Sequence, residues 1–412
     1  MRENVRDVIP RAHRKNIFAD LVHLFNGLCF LPFWHMQRLH KRDANLWTFG
    51  AWSGLRYSDN SRALYEYVLA HHPDIKAVWM TRSEEVYNRL RNAGKPVELC
   101  TSKEGKKIQR QSGVFFCTAN KYDSDVRLMN GIKFINLWHG MPLKHIGEDS
   151  LARIRSKGIW KRFKTGLRRI FLPWEFMCGP TICGAPFFSA FLQSAFHLPP
   201  KDVWDIVEPR LSRLDGHRKE NLGRKLDLHF GNPLKVLYMP TFRDDKVGKF
   251  NPFVLAQGFD KEHFEQMLES QNIVFLYKGH FIDDVKTNVI SQSRIQIIGD
   301  DDYEDLYGFL NDIDVLITDY SSIYFDYLCL KRPMILFPFD QKDYNTKAQE
   351  FYFDYSLMGA KRVYSWTELE QCLKAKTYYP PSEEEMNRFR PREIGNCCEE
   401  LVQKVLSELK DN

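Results

Sequence analysis

The chain has no CxxC pair, no cluster of cysteines and histidines at short spacing, no internal repeat and no low-complexity tract. Its nine cysteines are scattered and odd in number, and only Cys397 and Cys398 are adjacent. A structural zinc needs four ligands gathered at short spacings, and none are offered. The cysteines therefore read as buried free thiols in a reducing compartment. No signal peptide is expected from the first residues. The apolar stretch from Ile17 to Trp34 is interrupted by Asp20, His23, Asn26 and Pro32. It falls short of the roughly 20 clean apolar residues a spanning helix needs, so no transmembrane segment is expected. A net charge of +6 excludes a polycation, and the location of the positive charge matters more than its total.

What is present is globular: 43% hydrophobic and 27% charged residues. Aromatics reach 14%, enough to thicken cores, line a cleft or sit at a membrane interface. A length of 412 residues suits two domains. Short apolar runs alternate with helical patterns. Leu46–Phe49, Ala77–Met80, Val114–Cys117 and Phe134–Leu137 read as strands, and Asp59-Asn60-Ser61 caps a helix carrying Leu64, Tyr67 and Val68. After a charged, glycine-containing stretch from Leu211 to Asn232 the pattern restarts. Val236–Met239, Ile273–Leu276, Ile295–Ile298, Val315–Ile317 and Met334–Phe337 are the next strands. Strand–helix repetition predicts an α/β fold with parallel sheets. Residues 1–228 form the first domain and 229–412 the second, and the tail from Ser382 to Asn412 reads as helix.

In open parallel sheets, ligands bind beyond the carboxyl ends of the strands. Four segments there carry chemistry. In Trp138-His139-Gly140-Met141-Pro142 a strand ends on an imidazole and a tight turn, which suits a general base; the plainer reading is a histidine bonded to a loop carbonyl. In Thr241-Phe242-Arg243-Asp244 a guanidinium offers a fork for phosphate oxygens, or pairs with a neighbouring aspartate. In Tyr277-Lys278-Gly279-His280 two donors flank a glycine that admits a ligand closely, although ordinary loop polarity looks the same. In Thr318-Asp319-Tyr320-Ser321-Ser322 a buried strand passes into hydroxyl residues at a helix start, where an anion is favoured and where plain capping is equally served. Arg243, His280 and the Ser321 region would form a phosphate cradle in the second domain, faced by His139 from the first.

WHGMPLKHIG, MPTFRDD, YKGH and TDYSSIYFDYLCLKRPMILFPFD resemble signature segments of the CDP-glycerol glycerophosphotransferases, the teichoic-acid primases and polymerases. FGAWSGLRYSDNSRALYEY and EPRLSRL resemble that family as well. Met141 and Phe281 depart from it, standing where threonine and proline are common. The resemblance implies a GT-B-like fold, two Rossmann-like domains with parallel sheets facing across a cleft. It implies transfer of glycerol phosphate from CDP-glycerol to a hydroxyl of a lipid-linked acceptor, releasing CMP, in teichoic-acid or capsule synthesis. By position, His139 would be the base. Gly140, Arg243, Lys278, His280, Asp319, Ser321 and Ser322 would lie at the donor, with Asp319 and Asp326 orienting the loop and helix. No cofactor is implied, since CDP-glycerol is a substrate, and no carboxylate pair makes an obvious metal cage.

Between Leu151 and Ile170 stand eight Lys or Arg residues and no acid. As a helix this stretch sets Trp160, Phe163, Leu167, Ile170 and Phe171 on one face and cations including Arg168 and Arg169 on the other. That pattern reads as an anchor on anionic lipid, placing the protein peripherally on the cytoplasmic face of the membrane. The alternatives are a related enzyme using CDP-ribitol or a nucleotide sugar, and a non-enzymatic basic protein for membrane or nucleic acid. Nucleic-acid binding would leave the strand-end motifs unexplained, so no nucleic acid is expected as a partner.

Overall fold

A computed structural model of the chain describes residues 17–118, 121–150, 159–214, 221–241, 251–279, 292–299, 302, 303, 305–341, 344 and 350–410. Among them, a first sheet holds β1 (Asp43–Gly50), β2 (Lys76–Thr81), β3 (Val97–Leu99), β4 (Ser112–Cys117), β5 (Lys133–Asn136), β6 (Thr181–Ile182) and β7 (Val203–Trp204) in the order 3-2-1-4-5-6-7. A second holds β8 (Leu234–Tyr238), β9 (Ile273–Tyr277), β10 (Ile295–Ile297), β11 (Val315–Thr318), β12 (Met334–Leu336) and β13 (Lys361–Arg362) in the order 10-9-8-11-12-13. Every pairing within both sheets is parallel. Both are doubly wound, and such sheets bind ligands where the strand order reverses. Those points lie between β1 and β4 and between β8 and β11.

The strands form where the sequence is continuously apolar, because both faces of a parallel sheet are covered. All residues of β4 and β11 are buried. Helices α1 (Ile17–Met36), α2 (Asp59–His71), α3 (Glu84–Asn92), α4 (Lys103–Gln111) and α5 (Ile159–Phe171) accompany the first sheet. The strands β3, β6, β7 and β13 escaped the sequence reading, being only two or three residues long. The cap of α2 also differs: Ser58 takes the N-cap position, and Asp59 enters the helix with φ of 65°. This frees the Asp59 and Asn60 side chains for other partners.

One apolar core runs through the contact between the sheets, from Trp47 and Phe116 to Leu316 and Tyr320. Phe187 and Phe188 of the first domain meet Phe353, Phe325 and Phe389 at ring distances of 4.9–5.2 Å. A second core, around Trp366, covers the far face of the second sheet. The tail departs from the sequence division. It forms two helices, Glu383–Phe389 and Cys397–Lys410, and the last returns to the first domain. Tyr67 Oη donates to Glu399 at 2.9 Å, and Lys133 Nζ meets Glu408 at 2.6 Å. Leu401, Val402 and Val405 are buried, so the apolar face of this helix decides its position.

Candidate active site

β5 ends at Asn136, whose Oδ1 accepts from the Trp138 N–H at 3.1 Å. Trp138 then adopts φ of 54°, a left-handed conformation that costs a bulky residue energy unless its surroundings impose it. Asn60 supplies that constraint. Its buried Nδ2 donates to the carbonyls of Leu137 and Trp138 at 3.0 and 2.9 Å. Its Oδ1 accepts from the Arg210 N–H at 3.0 Å.

His139 follows, half-buried between the rings of Trp52 (5.2 Å) and Trp138 (4.0 Å). Its Nδ1 lies 3.4 Å from the Thr118 carbonyl at the end of β4. The tautomer protonated at Nδ1 donates there and leaves Nε2 as the basic nitrogen. Burial pushes the imidazole below its ordinary pKa; Asp59 opposes this and Arg210 adds to it.

The turn containing His139 reaches across to the second domain. Gly140 has φ of 153°, and a Cβ there would stand 2.4 Å from Ser322 Oγ. Immediately downstream, Lys144 bridges to Phe351 in antiparallel fashion, with His145 N–H donating to the Glu350 carbonyl at 2.9 Å. Gly140→Ala is accordingly expected to lower both thermal stability and turnover. Methyl and hydroxyl cannot share that space, and cutting back Ser322 in a Gly140→Ala/Ser322→Ala pair should recover only part, because the φ strain remains. Thermal denaturation with steady-state rates checks this.

Behind the turn lies a buried ionic network. The Arg210 side chain is 1% exposed, with Nη1 on Asp59 and Nη2 on Asp326, both at 3.1 Å. Tyr307 Oη donates to the other Asp326 oxygen at 2.8 Å. Asp59 and Arg210 belong to the first domain, and Asp326 and Tyr307 to the second, so the guanidinium locks the lobes together. Next to it, burial pushes the Glu208 carboxyl up to about 7, with Arg210 pulling the other way.

A cavity of about 950 Å³ lies between the lobes. His139, Gly140, Lys278, Ser321 and Ser322 all line it. Lys278 is buried directly after β9, its Nζ 5.5 Å from the Tyr303 ring. Ser321 and Ser322 precede the short helix Ile323–Tyr327, beside the switch point of the second sheet. Gly140 acts through close packing on Ser322. Asp319 is fully buried, and its Oδ1 accepts from the N–H groups of Thr241 and Tyr320 at 2.7 and 2.6 Å. It ties the loop after β8 to the loop after β11 and does not line the cavity. Arg243 and His280 lie outside the described residues.

Asn60 was read only as part of a helix cap, and Thr118, Arg210 and Tyr307 were not singled out from sequence. A signal existed for Arg210, a charge within the buried run Ile206–Leu211, and for Asn60, one residue past the N-terminus of a helix.

On the expected membrane side, the side chains of Trp160 and Phe163 lie outside the described residues. The stripe on α5 divides: Phe171 packs with Trp174 and Leu172, whereas Ile170 is 61% exposed. Leu167 is half-buried and Arg169 exposed. Arg168 pairs with Glu175 at 2.6 Å and stays partly exposed. Helix α1 lies against this layer so closely that a Cβ on Gly27 would meet Leu172 Cδ2 at 2.3 Å. Its outer side shows Phe25 (64% exposed) and Leu28 (49%), with Leu39 (84%) just beyond. Among the described residues, no helix is long and apolar enough to cross a membrane.

Two doubly wound domains facing across a cavity, with an imidazole on one wall and a lysine and hydroxyls on the other, define a GT-B-like transferase. Comparison with known proteins narrows the class. The chain is 28% identical over 376 residues to the teichoic acid glycerol-phosphate transferase of Staphylococcus aureus, covering 88% of this chain and 92% of that one. It is 25% identical over 313 residues to the teichoic acid poly(glycerol phosphate) polymerase of Bacillus subtilis, covering 74% of this chain and only 40% of the polymerase. The structure of the wall teichoic acid polymerase TagF, as a histidine variant soaked with CDPG, matches with a TM-score of 0.71 at 19% identity over 97% of this chain and 99% of that one. The profile of the CDP-glycerol:poly(glycerophosphate) glycerophosphotransferase family matches residues 33–406, and the chain belongs to that family.

Proposed function

We propose that the chain transfers glycerol phosphate from CDP-glycerol to a hydroxyl of a lipid-linked acceptor, on the cytoplasmic face of a membrane that it binds peripherally. The observation that carries this reading is the closure of Gly140 onto Ser322, which sets His139 against the hydroxyl loop of the second domain. In this scheme the acceptor hydroxyl gives its proton to His139 Nε2 while its oxygen attacks the phosphorus bearing glycerol. The bond from that phosphorus to CMP breaks, and CMP leaves with the electron pair. Lys278, Ser321 and Ser322, joined by Arg243 and His280, hold the diphosphate and stabilise charge on the departing oxygen. Phosphoryl transfer depends mainly on such positioning and fixed donors. No cofactor is required.

The membrane part rests on the exposed apolar residues of α1 beside the cationic α5. Purified protein given CDP-glycerol and a lipid-linked acceptor should release CMP and extend the acceptor by one or more glycerol-phosphate masses. CDP-ribitol in the same assay should be the poorer donor. Retention of the donor without CMP release would sink the reading. In vesicle flotation with anionic lipid, Phe25→Asp/Leu39→Asp should weaken binding by about tenfold or more.

A further inference from the structure

The cavity does not stop at His139. Past Trp52 it continues along the first domain to Arg56, Tyr57, Arg62, Glu85, Arg89 and Lys95. Tyr57 is the hub of this wall. Arg62 Cζ, Lys95 Nζ and Arg89 Cζ stand 5.0, 5.1 and 5.9 Å from its ring centre. Glu66 gathers Arg62 at 3.3 Å, Lys95 at 2.5 Å and also Arg213. Burial works against ionising Glu66, yet these cations hold its carboxyl well below the usual range. Asp305, from the second domain, meets Arg62 at 3.4 Å. Among the described residues, no carboxylate pairs with Arg89, which is exposed. The wall cations Arg56, Arg62, Arg89 and Lys95 stand among the carboxylates Asp59, Glu66, Glu85 and Asp305, and Arg62 and Lys95 are already engaged by Glu66, which leaves Arg89 to meet an incoming anion.

The donor loops after β8, β9 and β11 belong to the second domain, whereas this wall is built by the first, which also carries His139. We infer that it is an anion subsite for the acceptor, holding an acceptor phosphate while the acceptor hydroxyl reaches His139. The inference rests on the transferase reading above. The phosphate has two sources: a phosphodiester of a growing chain, or the diphosphate of a lipid carrier. Arg89, exposed on α3, closes over the bound oxygens; Arg62 and Lys95, held by Glu66, supply fixed field behind it.

Binding of two probes to the full chain without donor tests this: a soluble glycerol-phosphate oligomer, and a lipid-diphosphate glycan in detergent. Arg89→Glu should weaken one or both by about tenfold, whereas Arg91→Glu on the same helix, whose side chain bonds Tyr87, should change them less than about twofold. Weakening in the oligomer arm assigns the phosphodiester, and weakening only in the lipid arm assigns the carrier diphosphate. In turnover, Arg89→Glu should raise the acceptor KM with the CDP-glycerol KM moved less than about twofold. The inference is overturned if neither arm weakens, if Arg91→Glu weakens both equally, or if the wild-type chain binds neither probe. Arg89-dependent binding without CMP release from CDP-glycerol would overturn the transferase reading and leave the anion site standing.

Discussion

Replacing His139 with asparagine should reduce CMP release by about 10²–10⁴-fold, the usual contribution of a positioned base, while CDP-glycerol still binds. Asparagine preserves the Nδ1 contact with Thr118 in shape, through its own amide, but has no nitrogen that takes a proton. The pH profile carries a second expectation. Burial lowers the imidazole pKa from its ordinary 6.5, Asp59 resists, and Arg210 reinforces the lowering. The acid limb of kcat/KM should therefore fall below pH 6.5 rather than at it. The sign for stability follows from the same shift. With the folded value under the unfolded one, the native state binds fewer protons between the two. The contribution of His139 to stability is then complete above 6.5 and declines as pH drops below it. A CMP-release series across pH, with donor binding measured on the asparagine variant, checks all of this. An asparagine variant within a few-fold of wild type would remove His139 from the chemistry.

The legible parts of the fold were those whose physics is local. β1, β4, β8, β9, β11 and β12 are runs of apolar residues because each is buried on both faces, and such runs announce themselves. The strand-end segments were legible because an open parallel sheet directs function to those ends. What escaped depends on partners far along the chain. Asn60 and Arg210 bond across 150 positions, and nothing near either one specifies the other. Asp319 was placed at the donor as an orienting residue because it stands in a hydroxyl-rich loop, but its partners were not legible. Two backbone N–H groups claim its carboxylate, since donors buried at a loop crossing must be satisfied before a ligand can be. The last helix pairs with the first domain through Glu399 and Glu408, choices invisible in its own heptad-like pattern.

Arg210→Met should cost about 3–5 kcal/mol of stability, because it leaves Asp59 and Asp326 buried with no cation between them. Packing alone would predict far less, as methionine fills much of the same space. Arg210→Lys keeps the charge but cannot reach two carboxylates on opposite sides as a planar fork does. It should fold well enough to assay and still lose much of kcat with little change in the CDP-glycerol KM. The residue acts through the turn rather than on substrate: its guanidinium fixes Asp59, whose neighbour Asn60 holds the Leu137 and Trp138 carbonyls that aim His139. A purely structural role would leave the pH profile alone. Here Arg210 lowers the His139 pKa and Asp59 raises it. Losing the bridging guanidinium exposes His139 to an uncompensated Asp59, and the acid limb should move to higher pH in the lysine variant, further still in methionine. Denaturant melts of both variants, read beside their kcat/KM profiles, separate the two roles. An unshifted acid limb in a folded Arg210→Lys protein would confine Arg210 to holding the lobes together.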